Sequence, residues 1–340
     1  MRKYLPTFLI AFILLGILLP TAVLIQSPRA EVWIIGKPTI TGRPQPSQTI
    51  PWGIERIHAP DAWKNSTGVG VQIAVLDTGV DRDHVDLYVN IEWGISVVGD
   101  TESTAEKDWT DRNGHGTHVI GTIAAMYNDI GVVGVAYNIS IYAIKVLNNA
   151  GFGTWEDAAE GVYWAMKGPD GIIGTEDDAE VISMSFGGFG YSQIFHDAII
   201  AAYDQGIVLV AAAGNEGDDG VTYPAKFEEV IAVAAIDEYD NVPTWSSKGP
   251  EVELAAPGVD ILSTVPNDRY DTYSGTSMAA PHVAGTVGLM ISKILAEGRN
   301  YTVEYIRDIL HTTADDIGPS DFDESSGYGV VRADKAVAQA

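Results

Sequence analysis

The sequence predicts an α/β protein with a mostly parallel central sheet and helices on both faces. Three observations carry this. Short apolar runs recur along the chain, helical stretches alternate with them, and no linker after residue 50 breaks the alternation. At 340 residues the chain can bury a core of that size in one broad domain.

The first run, 71–76, stops at the polar turn Asp77-Thr78-Gly79 and reads as a buried parallel strand. Similar runs occupy 139–146, 181–184, 207–213 and 230–236. Helical patterns fall between and after them: one from His115 through Ala125, then 155–166, 193–204, 277–295 and 303–310. In such sheets chemistry gathers at the C-terminal ends of the strands, so the residues just after each run matter most.

Composition narrows the possible functions. Hydrophobic residues make up 46% of the chain, with 36 glycines and 16 prolines, which suits a globular protein rich in turns and excludes a collagenous or disordered one. No cysteine is present, so thiolate nucleophiles, thiolate metal sites and disulfides are all excluded. The net charge is −26; residues 1–30 hold three basic and no acidic residues, and removing their +3 leaves −29. That balance argues against nucleic acid and anionic lipid as partners. Arg2 and Lys3 precede an uncharged stretch from Tyr4 to Ile25, with small residues near Ala30. Residues 1–30 are therefore expected to be a signal peptide, the alternative being an uncleaved N-terminal membrane anchor. The expected location is secreted and extracellular, or anchored facing outside. Residues 31–46 read as a short spacer and 47–340 as one globular domain, a monomer by default.

Three motifs point to one site. Asp77 follows the first strand, where a carboxylate serves equally well as a turn cap. Asn113-Gly114-His115-Gly116-Thr117-His118 places a polar pair between glycines at the start of an apolar helix. His115 and His118 have the spacing of a metal pair, but no third ligand follows at zinc-like spacing. Gly275-Thr276-Ser277-Met278-Ala279-Ala280-Pro281-His282 opens a small-residue helix, where Ser277 alone would pass as an N-cap and Pro281 as a first-turn proline. Together they supply a nucleophile (Ser277), a base (His115) and an orienting acid (Asp77) in the chain order Asp-His-Ser. The Gly-x-Ser-x-Gly elbow is absent. Asn215, in Ala213-Gly214-Asn215-Glu216 after the fourth run, is a turn residue or, in this context, an oxyanion donor beside the Ser277 N–H.

These segments closely resemble those of the subtilisins, within the subtilase family, and the resemblance runs from about Pro51 to Val331. It includes Ile144-Lys145-Val146-Leu147, Ser183-Met184-Ser185-Phe186-Gly187-Gly188 and Ala255-Ala256-Pro257-Gly258. It implies a three-layer subtilisin-like fold and a serine endopeptidase acting on polypeptides through an acyl-enzyme. The alternative is a catalytically silent subtilase fold used as a binding or scaffold protein. By residue match, substrate would lie extended between Gly151-Phe152-Gly153 and Ser185-Phe186-Gly187-Gly188, with Trp155 lining the pocket for the fourth residue before the cleaved bond. Thr222 would make the first pocket shallow, favouring Leu or Met, and Glu216 at its mouth would tolerate Lys.

The resemblance also implies structural calcium. The strong site would use Gln48, Asp86 and Asn128 with main-chain oxygens of Met126, Ile130 and Val132. A weaker cation site would use carbonyls of Ala225, Phe227 and Val230. The acidic loop 168–180 looks inserted and resembles calcium-binding insertions of subtilisins from heat-loving archaea. The interval 31–46 is too short for the propeptide domain usual in secreted subtilisins, so a separate propeptide-like inhibitor or chaperone is a possible partner.

Overall fold

A strand pattern with its first member inside the sheet organises the molecule, seen in a computed structural model that describes residues 45–99, 101–319 and 321–340. The signal or anchor segment 1–30 and all but the last two residues of the spacer 31–46 lie outside the described residues. In chain order the elements are α1 (Trp52–Arg56), α2 (Ala59–Ala62), β1 (Gln72–Asp77), β2 (Ile91–Ser96), α3 (Glu106–Trp109), α4 (His115–Ala124) and β3 (Ser140–Lys145). Next come α5 (Trp155–Lys167), β4 (Val181–Met184), α6 (Gln193–Asp204), β5 (Val208–Ala212), β6 (Val230–Ile236) and β7 (Val252–Pro257). A hairpin of β8 (Ile261–Val265) and β9 (Arg269–Tyr273) leads into α7 (Thr276–Ala296), followed by α8 (Val303–Thr313) and α9 (Ala333–Gln339).

The seven-stranded sheet has the order β2-β3-β1-β4-β5-β6-β7 and is parallel throughout. The β3–β4 connection must therefore pass across β1, and the open ends of β1, β4 and β5 lie side by side where such sheets form their sites. Alternation along β1 divides the core. Ile73 and Val75 face a layer including α4, α7, α8 and α9, while Ala74 and Leu76 face α5 and α6. Both faces are covered, which explains why the strands read as continuous apolar runs rather than alternating ones.

The runs at 181–184 and 230–236 and the helix at 193–204 coincide with β4, β6 and α6, and the remaining predicted strands and helices differ from the observed ones by up to three residues at their ends. β2, β7 and the β8–β9 hairpin were not evident in the sequence. β2 is interrupted by Gly94, packed against Trp109, and by a register shift between Ile91 and Trp93. β9 has no fully buried position. Helix α7 is long and apolar enough to cross a membrane, yet it is almost wholly buried in the fold. Its small residues make room for close approach: a Cβ on Gly288 would lie 2.3 Å from Ile139 Cδ1, and one on Gly285 would lie 2.6 Å from Val135 Cβ.

Candidate active site

Asp77 is the last residue of β1 and is fully buried. Its Oδ1 accepts the Thr78 N–H at 2.7 Å, and its two carboxylate oxygens lie 2.8 and 3.0 Å from Nδ1 of His115. His115 opens α4 after Gly114, whose φ of 109° is left-handed and suits glycine. Gly116 explains the close approach of the two segments, since a Cβ there would sit 2.2 Å from the Gly79 carbonyl oxygen. The bidentate contact puts the Nδ1 proton towards Asp77 and leaves Nε2 as the basic nitrogen. Burial opposes the charged imidazolium, but the Asp77 carboxylate, by charge and hydrogen bond, outweighs it and holds His115 above its usual pKa. The ring remains 28% exposed.

His118, one turn further on, belongs to the core. Its Nε2 bonds the Ile261 carbonyl at 2.9 Å and its ring stacks on Tyr273 at 4.4 Å, while burial pushes its pKa down to about 4. Among the described residues no group of three or more His, Asp or Glu is placed to hold a metal.

Ser277 is the second residue of α7. Its Oγ donates to the Ser185 carbonyl at 2.9 Å, and Ser185 Oγ donates to the Ser277 carbonyl at 2.9 Å. Ser277 Oγ is therefore not hydrogen-bonded to His115 in this state, as is common where no substrate is bound. Pro281 stands deeper than the first turn expected from the sequence, because α7 begins at Thr276. Its missing N–H would have bonded the Ser277 carbonyl, and the Ser185 hydroxyl takes that acceptor instead. Ser185, the residue after β4, is thereby tied to the start of α7.

Asn215 lies three residues beyond β5, after Gly214 at φ 116°. Its Oδ1 accepts both the N–H (2.9 Å) and Oγ (3.0 Å) of Thr276, which fixes the amide and turns Nδ2 the other way. A Cβ built on Gly275 would lie 3.6 Å from Asn215 Nδ2 and 3.7 Å from Ser277 N, so both donors border one point beside the helix start.

Gly151, Phe152, Gly153, Trp155, Phe186, Gly187 and Gly188 all line one cavity of about 460 Å³. Phe152 is 72% exposed, whereas Trp155 stacks on Phe195 at 5.2 Å. Thr222 is buried between glycines: its Oγ1 would lie 2.3 Å from a Cβ on Gly187 and 3.0 Å from one on Gly214. Glu216 is exposed, with its N–H bonded to Ser247 Oγ at 3.1 Å.

At the other end of α4 lies a group of oxygens. Gln48 Nε2 sits 2.7 Å from Met126 O, 3.0 Å from Val132 O and 3.3 Å from both Asn128 Oδ1 and Ile130 O. An amide nitrogen has two hydrogens, so four oxygens compete for them. Asp86 is fully buried beside Asn128 Nδ2 (2.8 Å) and the Val132 N–H (2.9 Å), and burial pushes its carboxyl up to about 7. Among the described residues no cationic side chain pairs with Asp86, and crowded oxygens around such a carboxylate fit a hard cation such as calcium. Of the second oxygen set, Ala225, Phe227 and Val230 are buried, and the Phe227 carbonyl already accepts the Val230 N–H at 3.1 Å.

Asp111, Thr78 and Lys145 stand close behind the Asp77–His115 pair and were not singled out in the sequence. An Asp three residues before the Gly-His step was the available signal for Asp111. Lys145 was hidden inside an apolar run, where its side chain reads as an interruption.

Comparison with known proteins gives consistent matches. The profile described as "Subtilase family" matches residues 68–329. Subtilisin DY of Bacillus licheniformis is 41% identical over 295 residues, covering 85% of this chain and 99% of that protein. The thermostable alkaline protease of Halalkalibacterium halodurans is 42% identical over 292 residues, 85% of this chain and 74% of the relative. The intracellular serine protease of Paenibacillus polymyxa is 46% identical over 246 residues, 71% and 72% of the two chains.

Proposed function

The chain belongs to the subtilase family, and on that premise we propose that it is a secreted serine endopeptidase whose nucleophile is Ser277. The observation that carries the residue assignment is the buried Asp77 carboxylate chelating His115 Nδ1 at 2.8 and 3.0 Å. Ser277 Oγ leaves the Ser185 carbonyl and attacks the scissile carbonyl carbon as His115 Nε2 takes its proton. The carbonyl oxygen becomes an oxyanion, which accepts hydrogen bonds donated by Asn215 Nδ2 and the Ser277 N–H. Collapse breaks the C–N bond, and the proton on Nε2 goes to the departing amine. Water then repeats the sequence on the acyl-enzyme, with its proton passing through His115 to Ser277 Oγ.

The extended substrate lies between 151–153 and 185–188, where backbone pairing supplies affinity with little restriction of sequence. Thr222 at the floor of the first pocket favours Leu or Met over Tyr or Trp, and Glu216 at its mouth tolerates Lys. Calcium is the structural cofactor of the oxygen cage of Gln48, Asp86, Met126, Asn128, Ile130 and Val132, with Ala225, Phe227 and Val230 as a weaker site. When bound there it supplies the positive charge that the buried Asp86 lacks. The acidic insertion 168–180 supports a kinship with subtilisins of heat-loving archaea, although the relatives named above are bacterial. Export is supported by Arg2 and Lys3 followed by the uncharged stretch 4–25, and this weighs against the location stated in the Paenibacillus relative's name. A separate propeptide-like chain would act as folding aid or inhibitor.

The test is covalent labelling by a fluorophosphonate together with casein hydrolysis. The native protein is expected to show both and Ser277→Ala neither, with unchanged folding by circular dichroism. A folded, calcium-loaded native protein that shows neither activity removes the proposal.

A further inference from the structure

We infer that Asp111, with Lys145 as its buried counter-charge, is the positioning residue that locks the His115 loop onto the Asp77 turn and adds negative potential at the base. The inference rests on the reading of His115 as general base. Asp111 is 3% exposed and accepts five hydrogen bonds, each from a residue within two positions of Asp77 or His115. Its Oδ1 takes Thr78 Oγ1 at 3.0 Å and the N–H groups of Asn113 and Gly114 at 2.9 Å. Its Oδ2 takes the Thr117 N–H at 2.9 Å and Thr117 Oγ1 at 2.7 Å. Thr78 follows Asp77 directly, while 113, 114 and 117 bracket His115. Thr78 Oγ1 also accepts the Gly116 N–H at 2.9 Å, so one hydroxyl joins the carboxylate, the β1 turn and the helix start.

Lys145 completes the arrangement from the neighbouring strand. It pairs in register with Asp77 across β1 and β3, is 5% exposed, and its Nζ donates to the carbonyls of Thr78 (2.5 Å) and Leu147 (2.8 Å). Two buried carboxylates thus flank Thr78 and one buried ammonium caps it. Among Asp77, Asp111 and Lys145 alone, with Arg112 not counted, there is one net negative charge with neutral His115, and the four groups together become neutral when His115 takes the Ser277 proton. That balance favours the state formed during attack over the resting state, which is the direction a catalyst requires. A carboxylate needed only to hold a turn would not require a buried ammonium on the same turn, where Lys145 Nζ donates to the Thr78 carbonyl.

The charged and titratable groups acting with His115 are Asp77 from β1, Asp111 from the preceding loop and His118 on α4, while Lys145 from β3 feels both carboxylates and Arg112. The experiment compares the full-length native protein with Asp111→Asn and Thr78→Val, using a Leu-p-nitroanilide peptide across pH. Asp111→Asn is expected to lower kcat about 30- to 100-fold with KM changed less than about twofold. Loss of a negative neighbour lowers the His115 pKa, so the acid limb of kcat/KM should move down by about half a pH unit. Thr78→Val keeps both carboxylates and should lower kcat without moving the limb. An Asp111→Asn enzyme with an unmoved limb reduces Asp111 to loop scaffolding and overturns the inference. If that variant does not fold, an unchanged kcat in Thr78→Val overturns it. Failure of the native protein to react with a fluorophosphonate would instead strike the reading of the site itself.

Discussion

The two ends of helix α4 are built on opposite hydrogen-bond balances. At its start, the acceptors are matched by donors from the protein alone. Asp77 receives Thr78 N–H and His115, Asp111 receives five donors, and Asn215 Oδ1 is held by Thr276. At the cage beyond its end, four oxygens share the two hydrogens of Gln48 Nε2, and a buried carboxylate has no cation. The first region is therefore organised before any ligand arrives, as transition-state stabilisation demands. The second is left short of hydrogen-bond donors, so the ion proposed to bind there would contribute to stability by mass action. The same helix thus links a site complete in itself to one that a solution condition can strengthen or weaken.

Breaking the first region should affect rate and not stability. Asn215→Ala is expected to lower kcat by about 10²- to 10³-fold with KM little changed, the scale known for this donor in related proteases rather than one obtained from the present geometry. Steady-state kinetics on the peptide substrate checks this, and a purely KM effect would mean that Nδ2 serves ground-state binding instead. Breaking the second region should do the reverse. Chelation by EGTA is expected to remove about 3–4 kcal/mol of stability relative to calcium at 100 to 1,000 times its Kd. Asp86→Asn should abolish most of that calcium-dependent shift in Tm while leaving kcat at 25 °C within about twofold. A thermal scan that is the same with and without calcium would show that the cage is satisfied by protein groups alone. The smallest effect sharpens the picture of the cleft. Thr222→Gly removes the buried side chain between Gly187 and Gly214 and should raise kcat/KM for Tyr relative to Leu by about 10-fold. A peptide panel varied before the cleaved bond reads it directly, and no change in ranking would free Thr222 of any role in selectivity.

Much of the chemistry was legible in the sequence because it lies in short contiguous motifs. His115 with its glycines, Ser277 at a helix start and Asn215 after a strand each advertise themselves locally, and the subtilisin resemblance joins them. The apolar runs identified the central strands because a sheet covered on both faces needs unbroken hydrophobicity. β9 and β2 escaped for the converse reason, since a half-exposed hairpin strand and a strand interrupted by glycine lack that signal. The place of Pro281 relative to the helix start depends on where the cap falls, and the compensating Ser185 hydroxyl reaches the Ser277 carbonyl across 92 residues of chain.

What the sequence determined by itself, then, was the α/β class and the identity of the groups able to perform nucleophilic chemistry, because periodicity and motif composition are local properties. Only the tertiary structure decided which polar groups share a buried space. Register across β1 and β3 set Lys145 beside Asp77, the 111–117 loop folded Asp111 onto Thr78, and the chain's return past 126–132 gathered oxygens around Gln48. Those placements arise from long-range packing, and burial then turns modest side-chain interactions into ones strong enough to orient a base or call for a cation.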